Sequence, residues 1–129
     1  MDRLFFETNV LFSAAYRPKA GLLQFWKLKN VILCSSRYAL EEARSNLTEA
    51  AQRRRLAGLA KSLELFDELP RELSGGFSLP EKDTQILLAA IEARATHQIT
   101  GDVRHFGPYF GRKVRGILVL SPAAYLRQR

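Results

Sequence analysis

Short apolar runs alternate along this chain with longer stretches in which apolar residues recur every three or four positions. The runs have the length of buried strands, and the longer stretches have helical periodicity. The predicted strands are Leu4–Phe6, Val31–Cys34, His97–Thr100 and Gly116–Leu120. The predicted helices are 9–15, Gly21–Lys29, one capped by Ser35 or Ser36 and reaching Leu47, Glu49–Glu68, one from Lys82 or Asp83 to Ala95, and Pro122–Leu126. Strands that alternate with helices indicate βαβ units, and hence a parallel sheet covered on both faces.

Two stretches lack this periodicity and are predicted to be loops, the first with room for one short strand. They are Pro70–Pro80, which contains Ser74-Gly75-Gly76, and the polar and aromatic stretch Gly101–Gly111. The chain has 129 residues, of which 47% are hydrophobic, so residues 1–129 are expected to form one compact globular domain. No apolar run approaches the roughly 20 residues that span a bilayer, and the chain starts without a signal-like region. We therefore expect a cytoplasmic protein that has no membrane segment.

The lone cysteine and the charge balance narrow the chemistry. Cys34 lies in an apolar run and has no second cysteine to pair with, which predicts a buried, inert thiol. Twenty Lys and Arg against thirteen Asp and Glu leave a net charge of +7, so nucleic acid is the first partner to consider. The alternative is that most arginines lie on solvated helix faces. For Arg53-Arg54-Arg55 a solvated face or a protein contact is the preferred interpretation.

Four carboxylates are placed where a parallel sheet could bring them together. Glu7 and Asp102 each follow a predicted strand, whereas Glu42 and Asp83 lie at or near the start of helices. Ligands bind at the carboxyl ends of the strands in open parallel sheets, where the next helices begin. Clustered carboxylates repel one another unless a cation lies among them, and oxygen ligands suit Mg²⁺ and Mn²⁺. Each acid also has a simpler explanation when it is considered alone. Asp83 could be a helix cap, Asp102 could be part of a turn, and Glu41 and Glu42 could belong to a solvated helix face.

The motifs around these acids resemble those of a known family. They are Glu7-Thr8-Asn9, Glu42 within its helix, Asp83 opening an apolar helix, Thr100-Gly101-Asp102 after a strand, and the closing segment Val119–Leu126. In order and spacing they are similar to the PIN-domain ribonucleases, which include the VapC-type toxins, over essentially the whole chain. The resemblance implies a three-layer α/β/α sandwich with a central parallel sheet, a Mg²⁺ or Mn²⁺ site and endonucleolytic cleavage of RNA. It also implies an antitoxin protein as partner and a homodimer as assembly.

The resemblance also assigns roles to individual residues. The catalytic and metal-binding acids fall on Glu7, Glu42, Asp83 and Asp102, and the small polar residues that orient carboxylates and water fall on Thr8, Asn9 and Thr100. Glu42 is preferred to Glu41 because it stands five residues before Leu47, as the family glutamate stands before its apolar position.

One position departs from the family pattern. The family usually has aspartate where this chain has Glu7, and the extra methylene extends the side chain by about one C–C bond, roughly 1.5 Å. Mg²⁺ tolerates little deviation from octahedral geometry, so the change bears directly on the metal site. The alternative function is therefore a catalytically weak or inactive RNA-binding or protein-binding module with the same fold.

The segment after Asp102 could line the approach of an RNA backbone. The candidate substrate contacts are Arg104, His105, Arg112 and Lys113, with Tyr109 or Phe110 available for stacking on a base. A simple polar loop is an equally good interpretation, and a single loop histidine is often exposed and passive. His97, at a strand start, is predicted to be structural. Receiver domains and haloacid-dehalogenase-type phosphatases need further acids after the first strand that this chain lacks, and dinucleotide or P-loop glycine motifs are absent.

Overall fold

The structure is a computed structural model that describes residues 1–67 and 81–129, with the side chains of residues 81–86 outside the described part. The predicted loop Pro70–Pro80 and the predicted helix end at Glu68 therefore lie outside the described residues. None of the described helices is both long enough and apolar enough to cross a bilayer.

A six-stranded sheet forms the centre of the fold. Its strands are β1 (Asp2–Phe6), β2 (Val31–Ser36), β3 (Leu63–Phe66), β4 (His97–Ile99), β5 (Lys113–Val114) and β6 (Ile117–Leu120). The spatial order is β3-β2-β1-β4-β6-β5, and every neighbouring pair is parallel except β5 with β6. The predicted parallel sheet is thus confirmed, with one short antiparallel strand at an edge. The chain runs outward from β1 to β3 and then returns to β4 on the other side of β1, so its direction of winding changes between β1 and β4.

The helices lie in the connections between strands. They are α1 (Thr8–Tyr16), α2 (Arg37–Asn46), α3 (Ala50–Ala60), α4 (Glu81–Glu92), α5 (Val103–Phe106) and α6 (Pro122–Arg127), with 3-10 turns at Gly21–Lys27 and Gly107–Tyr109. The predicted helix at Gly21–Lys29 is a 3-10 helix, and the predicted loop Gly101–Gly111 contains α5 and a 3-10 turn.

The prediction of a helix over Glu49–Glu68 was wrong for its second half. It ends at Ala60, and after a turn the chain forms edge strand β3, in which Leu63 pairs with Leu33 of β2. Leu63 and Phe66 fit the helical spacing of the preceding leucines. The run Leu63–Phe66 also has the length and composition of a strand, and periodicity alone does not separate the two.

The core lies in two layers, one on each face of the sheet. Successive side chains of a strand point to opposite faces. Leu4 and Phe6 therefore pack with the cluster that includes α1 and Phe25, while Phe5 packs with Cys34 and with Leu87 of α4. This arrangement is the α/β/α sandwich predicted from the sequence. Cys34 is fully buried, and burial raises the pKa of its thiol to about 11, as expected for an inert cysteine.

The arginine run of α3 is more than a solvated face. Arg53 Nε donates to the carbonyl of Leu47 at 2.8 Å, and Arg55 Nε donates to the carbonyl of Ala15 at 3.0 Å. Carbonyls at or beyond a helix end lack intrahelical partners, so these guanidinium groups satisfy them. Arg54 is exposed. Two of the three arginines thus hold α3 against the ends of α1 and α2.

Candidate active site

The ends of β1 and β4 place two of the predicted site residues side by side. Phe6 is in register with Ile99, and the backbone N–H of Glu7 donates to the carbonyl of Ile99 at 3.2 Å. Glu7 and Thr100 therefore leave the sheet together at its carboxyl edge, where the winding changes direction. In open α/β sheets this crevice is the usual position of a binding site.

Glu7 is a buried carboxylate held by polar neighbours. Its exposure is 3%, and it is the N-cap residue of α1. Glu7 Oε2 accepts a hydrogen bond from Thr100 Oγ1 and a longer one, 3.4 Å, from Asn9 Nδ2. A carboxylate removed from water requires such donors, and the N-terminus of a helix favours negative charge.

Thr100 and Asn9 also fix the loop that carries Asp102. Thr100 Oγ1 accepts from the backbone N–H of Asp102 at 3.0 Å, and Asn9 Oδ1 accepts from the N–H of Gly101 at 2.8 Å. A Cβ at Gly101 would lie 3.3 Å from Asn9 Oδ1, so the close approach of the loop explains the glycine. The network connects the ends of β1 and β4 through side chains.

Asp102 combines two contacts to one residue. Asp102 Oδ1 accepts from the backbone N–H of His105 at 3.0 Å and so caps α5, while Oδ2 lies 2.8 Å from His105 Nδ1. Asp102 therefore stabilises the local turn, as its sequence context suggested, and it also lines the site. His105 is half-buried and contacts the acid, which contradicts the interpretation of a passive loop histidine.

A cavity of about 400 Å³ brings these groups together. Its lining consists of Glu7, Thr8, Asn9, Phe12, Glu42, Asn46 and Asp102. Three of the four predicted acids therefore share one cavity. Asp83 lies in α4, but its side chain is outside the described part of the chain.

The structure separates Glu42 from its neighbour Glu41. Glu42 lines the cavity, and its Oε2 accepts a hydrogen bond of 3.3 Å from the Tyr38 hydroxyl. Glu41 is exposed and forms an ion pair with Arg44, whose hydrogen bond lowers the pKa of Glu41. The geometry favours Glu42 as the site residue.

Three residues of the site were not predicted from the sequence. Phe12 and Asn46 line the cavity, and Tyr38 contacts Glu42. Helical spacing was the available signal, because Phe12 lies four residues after Thr8, and Tyr38 and Asn46 lie four residues either side of Glu42.

The predicted substrate contacts are distributed unevenly. Arg104 is exposed on α5, close in sequence to Asp102. Lys113 pairs with Leu118, which is level with His97 at the amino end of β4, the opposite end from Thr100. The neighbouring Arg112 is exposed on the same edge segment. The fold thus brings His105 to Asp102 but places Lys113 away from the acids.

The donor set suits a hydrated hard cation. Among the described residues no group of three His, Cys, Asp or Glu side chains is close enough to hold one metal ion. Mg²⁺ usually keeps several waters and uses only one or two carboxylates. In addition, Thr8 lines the cavity, and its buried Oγ1 has no hydrogen-bond partner in the described structure. A water of a hydrated cation would supply that partner, so the residues present fit Mg²⁺ or Mn²⁺.

Comparison with known proteins supports the fold. No protein-family model matches the chain, and no curated protein matches it in sequence. Among solved structures, it is similar to a chain of the VapBC2 complex from Rickettsia felis, which was crystallised bound to a DNA fragment from its promoter. The TM-score is 0.64 at 16% identity, over 92% of this chain and 98% of the other. At this identity the likeness shows the fold, and that fold is PIN-like, as the sequence motifs implied.

Proposed function

We propose that this protein is a metal-dependent endoribonuclease. The observation that carries the proposal is the cavity at the ends of β1 and β4, whose lining includes Glu7, Glu42 and Asp102. The chain carries a net charge of +7, site acids included, and this positive charge would attract a polyanion to the acidic cavity. The fold shared with a toxin–antitoxin complex agrees with this class of function.

The role of the acids would be to bind the metal ion. Glu7, Glu42 and Asp102, with Asp83 as predicted from sequence, would hold a hydrated Mg²⁺ or Mn²⁺, one or two of them directly and the others through its water molecules. When bound, the cation would activate water and neutralise charge developing on the attacked phosphate. Attack by water on an RNA phosphodiester then leaves a 5′-phosphate and a 3′-hydroxyl.

The surrounding side chains would hold these acids in place. Thr100 and Asn9 hold the carboxylate of Glu7 through hydrogen bonds to Oε2. His105 orients the carboxylate of Asp102 through a contact of 2.8 Å. Glu42, steadied by the Tyr38 hydroxyl, can orient the attacking water or accept its proton.

An antitoxin-type protein is the proposed partner, and a homodimer the proposed assembly. The similar structure is a complex of this kind, which supports the first part. If the chain is a toxin, induced expression in bacteria arrests growth, and the Asp102→Asn variant does not. Growth arrest that persists in Asp102→Asn contradicts a toxic nuclease.

The direct test is cleavage of single-stranded RNA by purified protein in Mn²⁺, in Mg²⁺ and in EDTA. We expect cleavage that depends on the metal and is lost in Asp83→Asn and Asp102→Asn. Asn at 102 keeps an oxygen that can cap α5, so it removes the charge with little effect on folding. Cleavage in EDTA, or full activity in both variants, contradicts the proposal.

The second candidate function is an inactive binding module, and one observation favours it. Glu7 Oε2 is already engaged by Thr100 and Asn9, so the longer side chain uses this oxygen within the protein. If the wild type retains RNA without cutting it and Glu7→Asp restores cleavage, the glutamate has silenced the site. Cleavage by the wild type rejects this candidate.

A further inference from the structure

An aromatic pair lies beside the candidate active site on α1. The ring centroids of Phe12 and Tyr16 are 5.4 Å apart, with their planes tilted by 36°. Phe12 lines the acidic cavity and also a neighbouring cavity of about 260 Å³, which is lined by Phe12, Ser13, Tyr16 and Arg17. The two cavities are therefore neighbours that share Phe12 in their linings.

The backbone of Tyr16 is held firmly while its side chain is exposed. Its carbonyl, at the end of α1, accepts hydrogen bonds of 3.1 Å from both Gln52 Nε2 and Arg55 Nη2 of α3. Tyr16 nevertheless keeps 54% of its surface exposed. Because its backbone is held and its ring packs on Phe12, the Tyr16 side chain loses less conformational freedom when a ligand stacks on it.

A cationic side chain follows directly after this ring. Arg17 is exposed, and no described residue pairs with its guanidinium. Guanidinium groups bind phosphate in a bidentate manner, and exposed aromatic rings stack on unpaired bases. A ring and a guanidinium at adjacent positions match the base and phosphate of one nucleotide.

We propose that Phe12, Tyr16 and Arg17 form a nucleotide subsite, in which a base of single-stranded RNA stacks on Tyr16 and a phosphate contacts Arg17. The subsite rests on the proposed function and names how that site receives its substrate. An RNA strand that crosses the acidic cavity would continue over Phe12 onto Tyr16. An apolar protein segment is less suited to this surface, because apart from Phe12 the exposed ring is bordered by a cation and a serine.

The test is the affinity of the full chain for a labelled single-stranded 12-nucleotide RNA, measured by fluorescence anisotropy in EDTA so that no cleavage occurs. Tyr16→Ala should raise Kd by about 5- to 150-fold, the range of one lost stacking contact. Tyr16→Phe should keep the affinity, and Tyr16→Leu should lose it although it stays apolar. Arg17→Ala should reduce the slope of log Kd against log salt by about 0.7, as one phosphate contact on a single strand does. Arg54→Ala removes an exposed arginine of α3 and should leave that slope unchanged.

An abasic series locates the stacked base. Removing one base at a time should weaken wild-type binding at one position and leave Tyr16→Ala unaffected there. If all Tyr16 variants bind RNA as tightly as the wild type, the subsite is refuted and the surface belongs to a protein partner. That result leaves the proposed nuclease intact, whereas a wild type that neither binds nor cuts RNA refutes both.

Discussion

Thr100→Val tests the hydrogen bonds that join Glu7 to the loop carrying Asp102. Valine has nearly the shape of threonine, so the change removes one hydroxyl from a fully buried position and little else. That hydroxyl donates to the carboxylate of Glu7 and accepts from the N–H of Asp102 at 3.0 Å. Both contacts are lost together.

The expected magnitude follows from these two contacts. A hydrogen bond to a charged group contributes about 1.5–3 kcal/mol, and a buried N–H left without a partner costs about 1–3 kcal/mol. The contacts share one atom and do not add fully, so we expect Thr100→Val to lower the free energy of unfolding by about 2–4 kcal/mol. Thr100→Ser keeps the hydroxyl and loses one methyl group, which should cost only about 1 kcal/mol.

Urea unfolding followed by circular dichroism measures both variants. The difference between Val and Ser reports the hydroxyl, provided that the m values agree. In a Glu7→Gln background the Val substitution should cost less, because the acceptor is then neutral. If Val and Ser are equally destabilising, Thr100 does not hold Glu7 and the proposed network is wrong.

Three further predictions concern buried or partly buried side chains. Gln98 is fully buried on β4, and its amide nitrogen and oxygen have no partner in the described part of the chain, so Gln98→Leu should stabilise the fold by about 1–3 kcal/mol in urea; a loss of stability would refute the unpaired amide. Burial lowers the pKa of His97 below its ordinary 6.5, so its contribution to stability is present above pH 6.5 and is lost as the pH falls through the folded pKa. Because the chain has two histidines, an NMR titration can assign this pKa, and a value above 6.5 contradicts the burial effect. With the pKa of Cys34 raised from 9.0 to about 11, its thiolate fraction at pH 8 should be about 100-fold below that of an ordinary thiol, and rapid reaction of the folded protein with a thiol reagent would exclude this.

The central sheet could be predicted because its signals are local and repeated. Apolar runs alternate with helical stretches, which indicates parallel strands with their carboxyl ends at one edge. That rule places Glu7 and Thr100 at the same edge of the sheet, and they become neighbours because β1 pairs with β4. Edge strand β3 could not be predicted, because Leu63–Phe66 satisfies helix and strand patterns equally.

The side-chain contacts within the site were harder to predict from the sequence than the sheet. The resemblance favoured Glu42 over Glu41 by its spacing to Leu47, but the packing of α2 is what places Glu42 in the cavity and leaves Glu41 exposed beside Arg44. The contact between His105 and Asp102 depends on a single turn of helix that the polar sequence after Asp102 conceals. Lys113 is close to Asp102 in sequence but lies at the other end of β4, because β5 runs back along the sheet.

The measurement that tests the account most directly compares Glu42→Gln with Glu41→Gln in a single-turnover RNA cleavage assay with Mn²⁺. The two residues are adjacent, but Glu42 lines the cavity whereas Glu41 is paired with Arg44 on the exposed side of α2. We predict that Glu42→Gln lowers the cleavage rate by about 100-fold or more and that Glu41→Gln cleaves like the wild type. Equal rates in the two variants, or no cleavage by the wild type, would contradict a nuclease site in this cavity.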